Sequence, residues 1–156
     1  MENFSYQSSE RFADIQLLRY RLNGFDELTL QQKLYIYYLS EATLWGRDIT
    51  FDQFGRYNLQ IRRLLEQIYI SADVDRTTDE FRALETYLKR IWFSNGIYHH
   101  YGTEKFVPEF SAEYLRQVSP LDETEEGTLE RVIFDPYYLP KRVNKADGED
   151  LVLTSI

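Results

Sequence analysis

The pattern of apolar and polar residues predicts a series of helices, and the clearest of them runs from Leu30 to Trp45. Thr29 and Gln32 predict a capping box at its start, in which each side chain bonds to the other residue's exposed backbone N–H. The run is apolar almost all round, which is typical of a central helix rather than a surface one. Gly46 is expected to end it.

A second helix is predicted after a turn over residues 47–50. Thr50 and Gln53 suggest a further capping box, and Gly55 delays the regular helix to about Arg56. Its apolar positions form one stripe, as in a helix that packs one face on a core. The stripe consists of Tyr57, Ile61, Leu64, Leu65 and Ile68.

A third helix is predicted to begin with a capping box of Thr77 and Glu80. Glu85 is placed to pair with Lys89 one turn later. Residues 94–96, with the sequence Ser-Asn-Gly, are expected to close the helix, since glycine adopts the left-handed conformation without a steric clash. The expected core-facing positions are Phe81, Leu84, Leu88 and Ile91.

The rest of the chain is less regular. Residues 1–27 are expected to form a partly extended N-terminal arm, and residues 28–119 a compact up-and-down helical core. Ser111 caps a short helix within that core. Residues 120–156 are predicted to be irregular, with one short helix near Leu129 and at most a short strand at 151–154, leading toward a missing remainder. The predicted fold class is therefore mainly α.

Composition excludes several classes of function. The 156 residues carry a formal net charge of −8, which argues against nucleic acid and anionic membrane as partners. The absence of cysteine rules out disulfides and thiol chemistry. No window approaches the ~20 apolar residues of a membrane helix. We expect a soluble protein in the cytoplasm, or in the periplasm if a signal peptide has been removed.

Catalytic motifs are missing from the sequence. Its two histidines, His99 and His100, are adjacent, whereas a helical zinc site requires them at positions i and i+4. There is no P-loop, no dinucleotide-binding glycine motif and no nucleophile elbow. We therefore predict no catalytic residue, no metal ligand and no cofactor within this chain.

The segment from Asn95 to Lys105 is the best candidate for a functional site. Gly96 and Gly102 would allow a ligand to approach the backbone, and Tyr101 offers a surface for stacking. His100 can donate or accept a hydrogen bond near neutral pH. The alternative is that the tyrosines pack in the core and the histidines are solvated loop residues.

Several stretches resemble the N-terminal region of the dipeptidyl peptidase III family of zinc exopeptidases, in its Bacteroidetes-like form. They are QKLYIYYLSEATLWGRD at 32–48, WFSNG at 92–96, YGTEKFVP at 101–108, FDP at 134–136 and PKRVN at 140–144. The resemblance covers roughly residues 11–156 and implies a bacterial source. It rests on long motifs rather than catalytic ones.

The resemblance implies a piece of a two-lobed enzyme that removes dipeptides from short peptides. The family's zinc is held by a His-Glu-x-x-Gly-His helix and a later glutamate, and this sequence has no such motif. The implied peptide-binding residues are His100, Tyr101 and Gly102, with Asn95 and Gly96 as neighbours. The implied partners are a peptide substrate and the remainder of the parent enzyme, which supplies zinc.

Two alternatives stay open at this point. The chain could be a free-standing, non-catalytic helical module that binds peptides or proteins. It could also be an intact hydrolase that uses His99 or His100 as a general base, although no serine stands in a suitable motif.

Overall fold

A computed structural model describes residues 7–102 and 104–140, and it is mainly α with one short two-stranded sheet. This confirms the predicted fold class. The strands are β1 (Gln7–Phe12) and β2 (Ile15–Leu18), and a 3-10 helix spans Phe25–Glu27. The helices are α1 (Leu30–Trp45), α2 (Arg47–Phe54), α3 (Asn58–Ile70), α4 (Asp79–Ser94), α5 (Ala112–Val118) and α6 (Glu123–Phe134).

The polypeptide divides into two compact units, and the boundary in the sequence lies between Asp48 and Ile49. In the first unit, β1 and β2 are antiparallel and join through a tight turn in which Ala13 has a φ of 49°. The predicted capping box of α1 is confirmed. The Thr29 N–H donates to Gln32 Oε1 at 2.9 Å, and the Gln32 N–H donates to Thr29 Oγ1 at 3.3 Å.

The prediction that α1 is a central helix is wrong, because none of its residues is buried. A helix that is apolar on all sides can be buried only if other elements surround it. The described residues of the first unit supply only a two-stranded sheet and one turn of 3-10 helix beside it. Trp45 is 88% exposed.

The second unit has its own hydrophobic core, built from α3, α4, α5 and α6 together with Phe51 of α2. The stripes predicted for α3 and α4 are largely confirmed. Their fully buried members are Ile61, Leu65, Leu84, Leu88 and Ile91, each with 0% exposure. Leu115 of α5 and Ile133 of α6 complete the same core. The predicted Glu85–Lys89 pair is also present at 3.3 Å.

Two predicted capping boxes are wrong. Thr50 lies inside α2, in the stretch predicted as a turn, and α3 begins after Tyr57 without a side-chain cap. The cap of α4 is Thr78, whose Oγ1 accepts the Phe81 N–H at 3.1 Å. Thr77 is unavailable for this role because its hydroxyl donates to Asp75 Oδ1 at 2.7 Å, which also lowers the pKa of the Asp75 carboxyl.

Glu80 bonds to the start of α5 instead of capping its own helix. Its carboxylate accepts the Ser111 N–H at 2.9 Å and the Ser111 hydroxyl at 3.0 Å. Ser111 also caps α5 as predicted, since its Oγ accepts the Tyr114 N–H at 3.1 Å. This three-residue arrangement joins the N-terminal ends of α4 and α5.

The short helix predicted near Leu129 is confirmed, and with twelve residues α6 takes up more of the segment predicted to be irregular than expected. It buries Leu129, Val132 and Ile133, and the carboxylate of Glu130 accepts two hydrogen bonds from the Arg116 guanidinium, at 2.6 and 2.7 Å. The strand predicted at 151–154 lies outside the described residues. The predicted division into residues 1–27, 28–119 and 120–156 stays a prediction.

Candidate functional site

The candidate site begins where α4 ends. Asn95 adopts the left-handed conformation with φ 56° and ψ 33°, and the Gly96 N–H donates to the Ile91 carbonyl at 3.1 Å. The helix therefore ends at the predicted position, but asparagine rather than glycine occupies the left-handed residue. Asparagine tolerates this conformation because its short polar side chain can bond locally.

Gly96 is needed for a close approach within the protein. Its φ of 154° is rare for residues with a side chain, and a Cβ at this position would overlap the amide of Asn58. Asn58 is 1% exposed, and its Oδ1 accepts the Ile97 N–H at 3.2 Å. A Cβ at Gly55 would also come close to this amide, at 2.9 Å from Asn58 Nδ2.

Residues 97–102 and 104–106 are the described part of a hairpin, called here the hairpin 97–106. The Phe106 N–H donates to the Ile97 carbonyl, and the His99 N–H donates to the Glu104 carbonyl, both at 2.8 Å. Between the two arms lies a tight turn, in which the Gly102 N–H donates to the His99 carbonyl at 3.2 Å. These bonds place residues 99–102 at the tip.

The second arm of the hairpin is attached to the end of α6 by Lys105. Its ammonium group donates to the carbonyl oxygens of Val132 at 3.0 Å, Asp135 at 2.9 Å and Tyr138. Val132 lies in the last turn of α6, where carbonyl groups have no partner within the helix, and Asp135 and Tyr138 follow that turn. A cation at this end of the helix is therefore favourable. Burial lowers the pKa of Lys105, and the nearby Asp135 carboxylate partly opposes that shift.

Tyr98 provides another attachment. Its hydroxyl donates to the Leu139 carbonyl at 2.7 Å, and burial raises the pKa of this phenol. The hairpin is therefore held at its base by Asn58 and along its arms by Tyr98 and Lys105. A tip supported in this way keeps its position relative to the core of the second unit.

The tip carries a cluster of rings. His99 and His100 stack with their ring centres 4.5 Å apart. The centre of the His100 ring also lies 4.3 Å from that of Tyr101 and 4.8 Å from that of Phe93, and the Phe93 pair is edge-on. The Tyr101 N–H donates to His99 Nδ1 at 3.2 Å, so that nitrogen carries a lone pair. Tyr101 is 91% exposed.

Among the described residues, one serine hydroxyl lies beside a histidine ring. It belongs to Ser94, whose Oγ is 3.5 Å from His100 Nδ1, at the limit of a hydrogen bond. Ser94 is 3% exposed, so its side chain is shielded from solvent. The described residues also hold no group of three histidine, cysteine or carboxylate side chains that could bind a metal ion.

Of the five residues predicted for peptide binding, His100, Tyr101 and Gly102 lie together at the tip. Asn95 and Gly96 lie at the base of the hairpin, where Gly96 packs on Asn58. The exposed ring of Tyr101 and the half-buried imidazole of His100 are therefore the side chains best placed to meet a ligand.

Asn58 and Lys105 position the tip, and neither is among the functional residues predicted from the sequence. The sequence does contain a signal for Lys105. The helix α6 ends just before Asp135-Pro136, and its last carbonyl groups need hydrogen-bond donors, which a lysine can supply. Asn58 gives no comparable signal. It lies 39 positions from Ile97 in the sequence, and only the folded chain brings them together.

A separate cavity of about 450 Å³ lies between α3 and α6. Its lining combines leucine side chains with polar and charged ones. The residues that line it come from α3 and from residues 121–129, not from the hairpin: Gln60, Arg63, Leu64, Gln67, Leu121, Glu125, Thr128 and Leu129.

No family model matches the chain. The chain is similar to dipeptidyl peptidase 3. The relative comes from Dictyostelium discoideum and is 28% identical over 109 residues, which are 64% of this chain and 16% of the relative. The chain therefore corresponds to less than a fifth of the length of dipeptidyl peptidase 3 in this comparison.

The similarity to dipeptidyl peptidase 3 agrees with the motifs that pointed to this family, but it is distant and partial. No helix among the described residues is long and apolar enough to cross a membrane.

Proposed function

We propose that the chain is the N-terminal region of a dipeptidyl peptidase III-like zinc metallopeptidase and that the tip of the hairpin 97–106 forms part of its peptide-binding cleft. The observation that carries the proposal is the similarity to dipeptidyl peptidase 3 over 109 residues. The tip supports it, because it combines an exposed aromatic ring with imidazole groups on a firmly attached hairpin.

The chemistry of the tip suits a peptide. Tyr101 presents an aromatic face and a hydroxyl, and an aromatic ring loses little conformational entropy when it packs on a ligand. The rings of His99 and His100 stack against one another, and the centre of the Tyr101 ring lies 4.3 Å from that of His100. Tyr101 is nevertheless 91% exposed, so its ring is accessible to a ligand.

Zinc does not fit the residues described here. The histidine rings stack face to face, and His99 Nδ1 already accepts a backbone N–H. Neither has two further ligands beside it among the described residues. In this proposal the zinc ligands belong to the remainder of the parent enzyme, and this chain contributes contacts to the peptide without cleaving it.

Peptide binding at the tip can be tested by calorimetric titration of the 156-residue chain with short peptides that have a free N-terminus. We expect Tyr101→Ala to weaken binding about fivefold, because a stacked ring contributes roughly 1 kcal/mol. Tyr101→Phe should retain most of the affinity if the ring face matters more than the hydroxyl.

Tyr137→Ala is a matched control, since Tyr137 is 88% exposed in the same unit but is not part of the hairpin. Equal affinity of Tyr101→Ala and the unchanged chain would show that the tip does not contact peptide. An equal loss in both variants would show that binding is not specific to the tip.

The peptidase assignment needs a separate test. Sequencing the source gene past the codon for Ile156 should reveal a His-Glu-x-x-Gly-His motif in the same reading frame. A stop codon without such a motif would contradict the proposal.

That outcome would favour the second candidate, a free-standing helical module that binds peptides or proteins. The observation on its side is that the exposed ring of Tyr101 and its supports lie wholly within this chain. In that case peptide should still bind, and Tyr101→Ala should still weaken it.

A further inference from the structure

The dipeptide Asn-Gly occurs twice in the chain, at Asn23-Gly24 and at Asn95-Gly96. In this dipeptide the backbone nitrogen of glycine can attack the side-chain amide carbon of asparagine, because glycine has no side chain that hinders the approach. The reaction needs no enzyme. It needs a free backbone N–H and room for the peptide unit to rotate, and the two dipeptides differ in both respects.

Asn23 and Gly24 are the central residues of an exposed β-turn. The Phe25 N–H donates to the Leu22 carbonyl at 3.3 Å, and Gly24 has φ 80° and ψ −3°, as at the third residue of a type II turn. A Cβ placed on Gly24 would meet no atom within 4 Å. Within the part of the chain that the structure describes, the Gly24 N–H has no acceptor. This peptide unit can therefore rotate at the cost of a single hydrogen bond.

Asn95 and Gly96 are held from two directions. The Gly96 N–H, which is the group that would have to react, donates to the Ile91 carbonyl at 3.1 Å. Gly96 is also buried, and a Cβ at this position would overlap the Asn58 amide. Rotation of this peptide unit therefore requires the end of α4 and the base of the hairpin 97–106 to open together.

We propose that Asn23 is a site of spontaneous deamidation and isoaspartate formation, and that the fold protects Asn95 from the same reaction. The reacting groups of each site are neighbours in the chain, and water is the only co-reactant. Their chemistry is independent of peptide binding and of the peptidase assignment, so failure of either of those tests leaves the expected reaction unchanged.

The reaction has two steps. The Gly24 nitrogen loses its proton to hydroxide and forms a bond to Asn23 Cγ, while the Cγ–Nδ2 bond breaks and Nδ2 takes up a proton and leaves as ammonia. Water then opens the resulting succinimide ring at one of its two carbonyl carbons. Attack at Cγ gives an aspartate in a normal main chain, and attack at the backbone carbonyl gives an isoaspartate, whose main chain passes through Cβ and Cγ. In both products OH replaces the amide NH2, without oxidation or reduction.

Both products change the turn. Each adds a carboxylate to a chain whose formal net charge is already −8. The isoaspartate also adds one methylene group to the main chain directly before the 3-10 helix Phe25–Glu27. That helix is attached to α1, because the Lys33 ammonium group donates to the Asp26 carbonyl at 3.0 Å. We therefore expect the change to be confined to the link between β2 and the 3-10 helix.

Incubation of the 156-residue chain at mildly alkaline pH, followed by tryptic digestion and mass spectrometry, measures both sites in one sample. Cleavage after arginine and lysine places Asn23 in the peptide 22–33 and Asn95 in the peptide 91–105. We expect Asn23 to react at least about ten times faster than Asn95, because Asn95 reacts only when the structure around it opens. An isoaspartate-specific methyltransferase should label the peptide 22–33.

Three controls separate the chemistry from the fold. Asn23→Gln should abolish the reaction at position 23, since the longer side chain cannot form the same ring, and Asn95→Gln should leave it unchanged. In guanidinium chloride both sites should react at similar rates, because the unfolded chain protects neither. Asn58→Ala should accelerate the reaction of Asn95 several-fold without affecting Asn23, because it removes the amide that packs on Gly96.

Two results would overturn the proposal. One is an equal rate at the two sites in the folded chain. The other is an unreactive Asn23 in the folded chain under conditions in which both sites react in guanidinium chloride, which would mean that another part of the chain covers or holds the turn.

Discussion

The side chain of Asn58 accepts a hydrogen bond from the backbone N–H of Ile97 at 3.2 Å, and this bond joins the first residue of α3 to the first residue of the hairpin 97–106. Both residues are almost fully buried. The contact sets where the hairpin leaves the core, and therefore where Tyr101 is presented.

We expect Asn58→Ala to lower the free energy of unfolding by about 1–3 kcal/mol, because it leaves the buried Ile97 N–H without an acceptor. Urea denaturation followed by circular dichroism measures the change. Gln60→Ala, at an exposed position of the same helix, should shift stability by no more than about 0.5 kcal/mol. A similar small shift for Asn58→Ala would mean that this hydrogen bond contributes little.

Gly96→Ala should destabilise the chain by about 1–3 kcal/mol, because the new Cβ would overlap the Asn58 amide at a backbone φ of 154°. Gly127→Ala is the control. Gly127 lies within α6 and has open space around its Cα, so alanine there should stabilise the helix by about 0.5–1 kcal/mol. Opposite signs in thermal unfolding are the expected result, and a neutral Gly96→Ala would contradict the close approach.

Leu88→Ala should lower stability by about 2–5 kcal/mol, since Leu88 is fully buried in the core of the second unit and the substitution opens a cavity. Ile70→Ala removes a comparable side chain from a 73% exposed position of α3 and should have little effect. Denaturant midpoints of the two variants give the comparison. A near-zero shift for Leu88→Ala would contradict its assignment to the core.

Alkaline pH should weaken the fold through Tyr87. Burial, and to a smaller extent Tyr98, raises the pKa of the Tyr87 phenol, and among the described residues its hydroxyl has no hydrogen-bond partner. The native state therefore keeps a proton that the unfolded chain releases near pH 10. The stability associated with this group is complete below about pH 10 and is lost as the pH rises further.

Stability measured between about pH 8 and pH 11 should fall less steeply in Tyr87→Phe than in the unchanged chain. At neutral pH the variant should be equally stable or slightly more stable, because it removes a buried hydroxyl without a partner. The pKa of Lys105 is lowered, so this group makes stability rise with pH instead of fall. Its effect is the same in Tyr87→Phe and in the unchanged chain, so the difference between the two proteins is due to Tyr87. Tyr137→Phe, at an exposed site, should not change the slope.

Local sequence signals predicted the helices well where the interaction partners are close in the chain. The Thr29–Gln32 box and the Ser111 cap both formed, because the partners are only three positions apart. The start of α4 was predicted one residue early. Thr77 and Thr78 are equally good caps in isolation, and the bond from Thr77 to Asp75 decides between them.

The position of α1 could not be predicted from its composition. An apolar helix is expected to be buried, but burial depends on the size of the elements around it. The candidate site shows the same limit. His100, Tyr101 and Gly102 lie together because they are neighbours in the sequence. Gly96 instead packs on Asn58, a contact between residues far apart in the sequence, which could not be predicted from it.

The sequence by itself determined the mainly α class, the helix faces of α3 and α4 and the aromatic character of residues 98–101, because periodicity and caps act over one or two turns. Only the tertiary structure decided that residues 97–106 form a hairpin held by Asn58, Tyr98 and Lys105. Those bonds join residues between 27 and 41 positions apart, and they form only when the core brings α3, α4 and α6 together.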